Sequence, residues 1–254
     1  MHRPVAIADR DTIELALGLP ALVPHLTDDP SPGATSALRR QMARFSGPGE
    51  HPQRRALVDA VIAGLDVDDA ERLAHATALE RLRTGTVTHA DLATTIPTAT
   101  LIELLALPVD AESATRDVEA IVRVIGRGEA ADDSADAATE RLLAAVPDPS
   151  VAVAVVSLLY QSFDATAALV ATTLAARSTG ATPEPAVRAT RRVATAPTDV
   201  GRHRLETGDE VVLEIGPAGL PFGAGPHACP GRELAEAIVR GIVAAHDESA
   251  PAPG

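Results

Sequence analysis

The residues best suited to chemistry lie in one stretch, Pro221-Phe222-Gly223-Ala224-Gly225-Pro226-His227-Ala228-Cys229-Pro230-Gly231, which holds the only cysteine of the chain. Gly223 and Gly225 permit positive φ and a close backbone approach to a ligand. Pro230 suits the first position of a helix, which would leave Cys229 at the cap. There the free backbone N–H groups and the helix dipole favour an anionic sulfur. A thiolate on a rigid loop, hydrogen-bonded from the backbone, is what an axial iron ligand requires. The competing reading is a small buried hydrophobe beside a glycine turn. One cysteine cannot form an internal disulfide, a four-cysteine iron–sulfur site or a cysteine-built zinc site.

Two other patterns carry side chains that could act together. His51 and Arg55 are four residues apart, so a helix would place both on one face; a solvated helix start is the alternative. The second is a polar notch, Gln161, Ser162 and Asp164, within an otherwise apolar run that begins at Val151.

Apolar spacing of three and four residues along most of the chain predicts helices over about 36–45, 52–65, 68–83, 89–94, 98–107, 111–125, 135–145 and 151–177. The last of these is apolar on nearly every face at its start and belongs inside a core. Its acid at position 164 argues against a membrane span. β-Branched runs at 186–194 and 209–215, separated by the turn Thr207-Gly208-Asp209, predict a small sheet. A final helix over about 230–246 buries Leu234, Ile238 and Ile242. Residues 27–36 and 128–134 read as exposed loops, and 248–254 as a frayed tail.

The 254 residues suit one large domain or two small ones, and the net charge of −13 arises from 22 basic against 35 acidic residues. With no sustained Lys/Arg run, a nucleic acid or anionic membrane partner is not expected. Asp9, Arg10 and Asp11 interrupt the N-terminus where an export signal needs an apolar run, so the expected compartment is the cytoplasm. Three Phe, one Tyr and no Trp leave the core to Ala, Val, Leu and Ile, or in part to a flat apolar group that is not protein.

The string Phe222-Gly-x-Gly-x-His227-x-Cys229-x-Gly231 resembles, at each defined position, the haem-thiolate loop of the cytochrome P-450 family. Three further stretches resemble that family in the same order: His51-Pro-Gln-Arg-Arg55, the run Ile96-Pro to Pro108, and Val187-Arg-Ala-Thr-Arg-Arg192 followed by Gly208-Asp-Glu-Val-Val-Leu. The resemblance implies a mainly α, truncated cytochrome P-450-like fold with a small β-sheet, a single haem domain over 1–247, and haem b (iron protoporphyrin IX). It makes Cys229 the iron ligand, packs Phe222 near the sulfur, and assigns His51, Arg55, Arg192 and His227 to the haem propionates. Arg191, on the opposite strand face, is the alternative to Arg192.

The long helix departs from the family pattern. Asp164 matches the family's acid, but Ala165 stands where an alcohol is expected. Thr166 is one residue late, about 100° further round the helix. Asp164, Gln161 and Thr166 are therefore the distal candidates. Gln161, four residues before Ala165, either holds a water or substrate in the distal notch or is satisfied within a helix contact. The family's Glu-x-x-Arg helix and its long meander have no counterpart here.

The function implied is a haem-thiolate oxidoreductase, a monooxygenase or peroxide-dependent oxidase, acting on a small molecule of specialised metabolism. Its partners would be ferredoxin and reductase, or hydrogen peroxide. A non-oxygenating reaction, such as dehydration or bond formation at nitrogen, is one alternative. A non-catalytic helper of a biosynthetic enzyme such as a glycosyltransferase is another.

Overall fold

A computed structural model describes residues 4–24, 32–85 and 87–249. Much of the loop expected over 27–36, and 250–254 of the expected tail, lie outside the described residues.

The helices follow the apolar spacing closely and are begun by local chemistry. They are α1 (Arg10–Gly18), α2 (Ala34–Gln41), α3 (His51–Ala63), α4 (Val67–Arg83), α5 (His89–Leu104), α6 (Ala111–Ile125), α7 (Asp133–Ala145), α8 (Ala152–Thr179) and α9 (Arg232–Ser249). Asp9, Asp66, Asp110 and Asp132 each accept an N–H of the first turn that would otherwise lack a partner. Thr88 and Asp91 close a reciprocal capping box at α5.

α8 is apolar all round because it is surrounded. It packs against α3, α5, α6, α7 and α9, and Val155, Val156, Leu159, Val170 and Leu174 lie in one helical core with Leu101, Ile121 and Ile238. By length and composition α8 could cross a membrane, but more than half of its apolar stretch is buried inside the protein. α4 and α9 lie close together because Ala70, Ala74 and Ala78 form a shallow stripe and Gly241 faces it without a side chain. A Cβ at Gly241 would come within 2.3 Å of the Glu71 carbonyl oxygen.

The expected strands form the centre of a four-stranded sheet ordered β1-β6-β3-β2: β1 (Val5–Ile7), β2 (Leu22–Val23), β3 (Thr190–Ala194) and β6 (Glu210–Leu213). β1 is parallel to β6, whereas β3 is antiparallel to both β6 and β2, with Arg192 opposite Val211. A separate hairpin, β4 (Thr198–Val200) and β5 (His203–Leu205), fills the span between β3 and β6. A second apolar cluster joins this region to α1 through Ile7, Ile13, Leu17, Leu205, Val211 and Leu213.

Three features differ from expectation. α5 is one helix through Pro97 rather than two pieces. α1 and the strands β1, β2, β4 and β5 were not expected. α9 continues through Ser249, where Glu248 pairs with His75 at 3.1 Å, so the expected tail begins inside a helix. Residues 180–189, between α8 and β3, contain no helix, in keeping with the missing Glu-x-x-Arg segment.

Candidate functional site

The cysteine loop is folded by its own backbone. Cys229 N–H donates to the Phe222 carbonyl at 2.8 Å and Ala228 N–H to Gly225 at 3.0 Å, around a short 3-10 turn over Gly225–His227. Gly223 and Gly225 take φ of 71° and 65°, the left-handed conformation that glycine reaches without penalty. A Cβ on Gly225 would also sit 3.2 Å from the Leu17 carbonyl oxygen, so α1 is tucked against the loop. The Arg232 guanidinium lies 5.1 Å above the Phe222 ring.

α9 begins at Arg232, and the Gly231 carbonyl accepts its first helical bond from Ala235. Cys229 is therefore two residues short of the cap, not on it as Pro230 suggested. Cys229 is exposed at the surface, yet the protein around it keeps off enough water for burial to push the thiol pKa up. The Gly231 N–H and the charges of Arg55 and Arg44 oppose that rise.

α3 delivers His51 and Arg55 to the same place. Arg55 donates from Nη1 to the Ala228 carbonyl at 2.8 Å and the Pro226 carbonyl at 3.3 Å, pinning the loop, and from Nε to Asp59 at 2.7 Å. His51 is buried, and its ring stacks on that of His227 with centroids 3.9 Å apart and planes tilted by 41°. Burial first, and then the neighbouring His51, Arg192, Arg55 and Arg44, push His227 down to about 4. Burial and Arg55 lower His51 as well.

β3 supplies a further cation. Pleating puts Arg192 on the buried face, 6% exposed, and Arg191 on the outer face, where it pairs with Glu210 at 2.7 Å. Arg192 donates from Nη1 to Thr190 Oγ1 and to the Arg191 carbonyl, but its buried Nε has no partner. Burial, with Arg44 nearby, lowers its pKa to about 10. Arg44, in the 3-10 turn Ala43–Phe45 before α3, is the member that sequence reasoning missed. It acts on Arg192, His227 and Cys229 together, but no spacing relation in the sequence connects it to them.

The three α8 candidates do not converge on one point. Gln161 donates from Nε2 to Ser157 Oγ at 2.9 Å and to the Ser157 carbonyl at 3.3 Å, the helix-internal alternative of its two readings. Asp164 makes a 2.9 Å exposed ion pair with Arg127. Thr166 is buried.

No family model matches this sequence, and no curated protein does. Solved structures do. P450BioI, in complex with an acyl carrier protein ligated to hexadec-9Z-enoic acid, superposes with a TM-score of 0.78 at 14% identity, over 99% of this chain and 86% of that one. Ligand-free CYP105P1 gives 0.69 at 17% identity over 98% and 83%. The post-tailoring hydroxylase HmtN of himastatin biosynthesis gives 0.68 at 18% identity over 96% and 82%. This chain has the cytochrome P-450 fold.

Within that cytochrome P-450 fold the donor set suits haem. One sulfur stands on a loop fixed by its own backbone hydrogen bonds. Around it gather Arg44, His51, Arg55, Arg192 and His227, with Asp59 already bound to Arg55. A buried guanidinium N–H with no acceptor beside two depressed histidines is an environment short of negative charge, which the carboxylates of a propionate-bearing ring would supply.

Proposed function

We propose that this chain is a haem-thiolate oxidoreductase that acts on a small molecule in biosynthesis, with haem b held by Cys229 and by His51, Arg55, Arg192 and His227. The unpartnered, buried Nε of Arg192 beside the His51–His227 stack carries this reading. Among the described residues, no group of three or more His, Cys, Asp or Glu is placed to hold a metal ion. Iron held here would be carried by the haem ring, with Cys229 as its protein donor.

When bound, haem supplies the redox chemistry at iron, driven by dioxygen with electrons or by peroxide. The chain's residues do the rest. Arg192 and Arg55 orient the ring through its carboxylates, and Gly231 N–H steadies the sulfur. Phe222 and the Arg232 above it limit water at the proximal side.

On the other face, Ala165 has no hydroxyl, Gln161 is tied to Ser157, and Asp164 is held outward by Arg127. These residues lack an acid and alcohol pair able to pass protons inward. That favours peroxide as oxidant over dioxygen. On α9, Arg232 and Arg240 are engaged by Glu236 and Glu71, a poor landing surface for an acidic electron carrier. Peroxide-driven turnover of a candidate metabolite, without turnover from ferredoxin and reductase, is the expected result. Efficient ferredoxin-coupled oxidation would overturn the choice of oxidant. The acyl carrier protein bound to P450BioI and the biosynthetic role of HmtN make carrier-bound acids and tailoring substrates the first compounds to assay.

A further inference from the structure

Away from the cysteine loop, the first residue of α5 meets the last turn of α9. His89 and His246 approach with their Nε2 atoms 2.9 Å apart, the rings edge to face with centroids at 4.8 Å and planes at 66°. At that distance one Nε2 carries the proton that the other accepts. This leaves Nδ1 of His246, which is buried and has no hydrogen-bond partner. The neighbouring carboxylate oxygen, Asp247 Oδ1, is 3.7 Å away, too far to bond. Neither tautomer satisfies that nitrogen: protonated, it lacks an acceptor, and bare, it lacks a donor.

We propose that His89 and His246 form a binding site for a divalent transition-metal ion, Cu2+ or Ni2+ in preference to Zn2+. Two metal–nitrogen bonds of about 2.05 Å at a right angle place their nitrogens about 2.9 Å apart, whereas a tetrahedral angle needs about 3.3 Å. The 2.9 Å separation of the hydrogen-bonded pair is the nearer to the square value, and turning the two rings, without moving either helix, would aim both lone pairs at one ion.

Both Nε2 lone pairs go to the metal: the ring that carried its proton on Nε2 gives it up to solvent and takes one up at Nδ1, so the neutral pair loses no net proton. Each ring is then protonated at Nδ1, and a small rotation of Asp247, whose Oδ1 stands 3.7 Å off, would give the His246 N–H its acceptor, the carboxylate-behind-histidine arrangement that steadies metal-bound imidazoles. Asp247 is itself ion-paired with Arg177 of α8, and Glu248 with His75 and Arg83 of α4, so the ion meets compensated charge. His89 is exposed, which leaves the metal's remaining positions to water. Binding would tie the start of α5 to the end of α9, the helix that follows the cysteine loop.

The test uses the full chain without a histidine tag, titrated with CuCl2, NiCl2 and ZnCl2 by calorimetry and by thermal unfolding. One Cu2+ or Ni2+ per chain is expected, with a raised unfolding midpoint and an affinity that falls at acid pH, where protons compete for the two Nε2 atoms. His89→Ala and His246→Ala should each weaken binding about tenfold or more. His227→Ala and His75→Ala should leave it unchanged. His89→Ala removes an exposed side chain, so circular dichroism should show an intact fold. No binding by the unaltered chain overturns the proposal. So does a metal effect that survives His89→Ala or disappears in His227→Ala.

Discussion

Replacing Arg192 by Met should change the haem-free and haem-loaded proteins in opposite directions. Arg192 is 6% exposed, and burial lowers its pKa from the ordinary guanidinium range to about 10. At about 1.4 kcal/mol per pH unit, that depression means the charged side chain opposes folding near neutrality by about 3 kcal/mol. Met removes this burden but also two hydrogen bonds, to Thr190 Oγ1 and the Arg191 carbonyl, worth about 1 kcal/mol each. The balance is a haem-free protein more stable by about 1 kcal/mol, a rise of about 2–4 °C in midpoint for a chain of this size.

Hemin uptake should weaken instead. A charge-assisted bond from Arg192 to a carboxylate is worth about 1.5–3 kcal/mol, or about 10- to 150-fold in dissociation constant. Urea or thermal unfolding of haem-free protein, together with hemin titration followed by absorbance, reads both effects. A variant that is less stable without hemin, or that binds hemin as tightly as before, would refute the assignment of Arg192 to a buried anion.

Further outcomes follow from the same geometry. His227 titrates at about 4 in the folded chain against an ordinary 6.5, so the unfolded state takes up the proton first. Stability of the haem-free protein should be level above about pH 6.5 and fall by up to about 3 kcal/mol as pH drops toward 4; a urea midpoint unchanged between pH 7 and 4.5 would contradict this. Gly241→Ala would drive a Cβ into the Glu71 carbonyl at 2.3 Å and should lose about 1–3 kcal/mol by prising α4 from α9, read as a lower melting midpoint. Gln161→Ala should lose about 1 kcal/mol with its Ser157 bonds and leave the haem spectrum unchanged, since its amide is used inside the helix. Asp164→Asn breaks an exposed pair with Arg127 and should alter stability by less than about 1 kcal/mol in thermal unfolding.

What could be read from the sequence depended on how local its cause was. α6 and α9 carry their buried face as a spacing, and the cysteine loop carries its turns as glycines. The choice between Arg191 and Arg192 needed only the pleat of β3 to decide it. Pro97 misled because tertiary burial of Ile96, Leu101 and Ile102 on α8 outweighs the hydrogen bond a mid-helix proline removes. β1 was hidden because its pairing partner, β6, lies some two hundred residues away. The helix begins two residues later than Pro230 suggested, and burial, which no local pattern encodes, raises the thiol despite the Gly231 N–H. Arg44 was invisible because only its folded position near Arg192, His227 and Cys229 gives it a role.

The most direct test of haem-thiolate binding is the absorbance spectrum of the hemin-loaded chain, reduced under carbon monoxide, beside that of Cys229→Ser. Thiolate ligation predicts an intense Soret band displaced to the long-wavelength position that gives the P-450 fold its name, and its loss with serine. A chain that stays colourless with hemin, or shows the same band with serine at position 229, would contradict it.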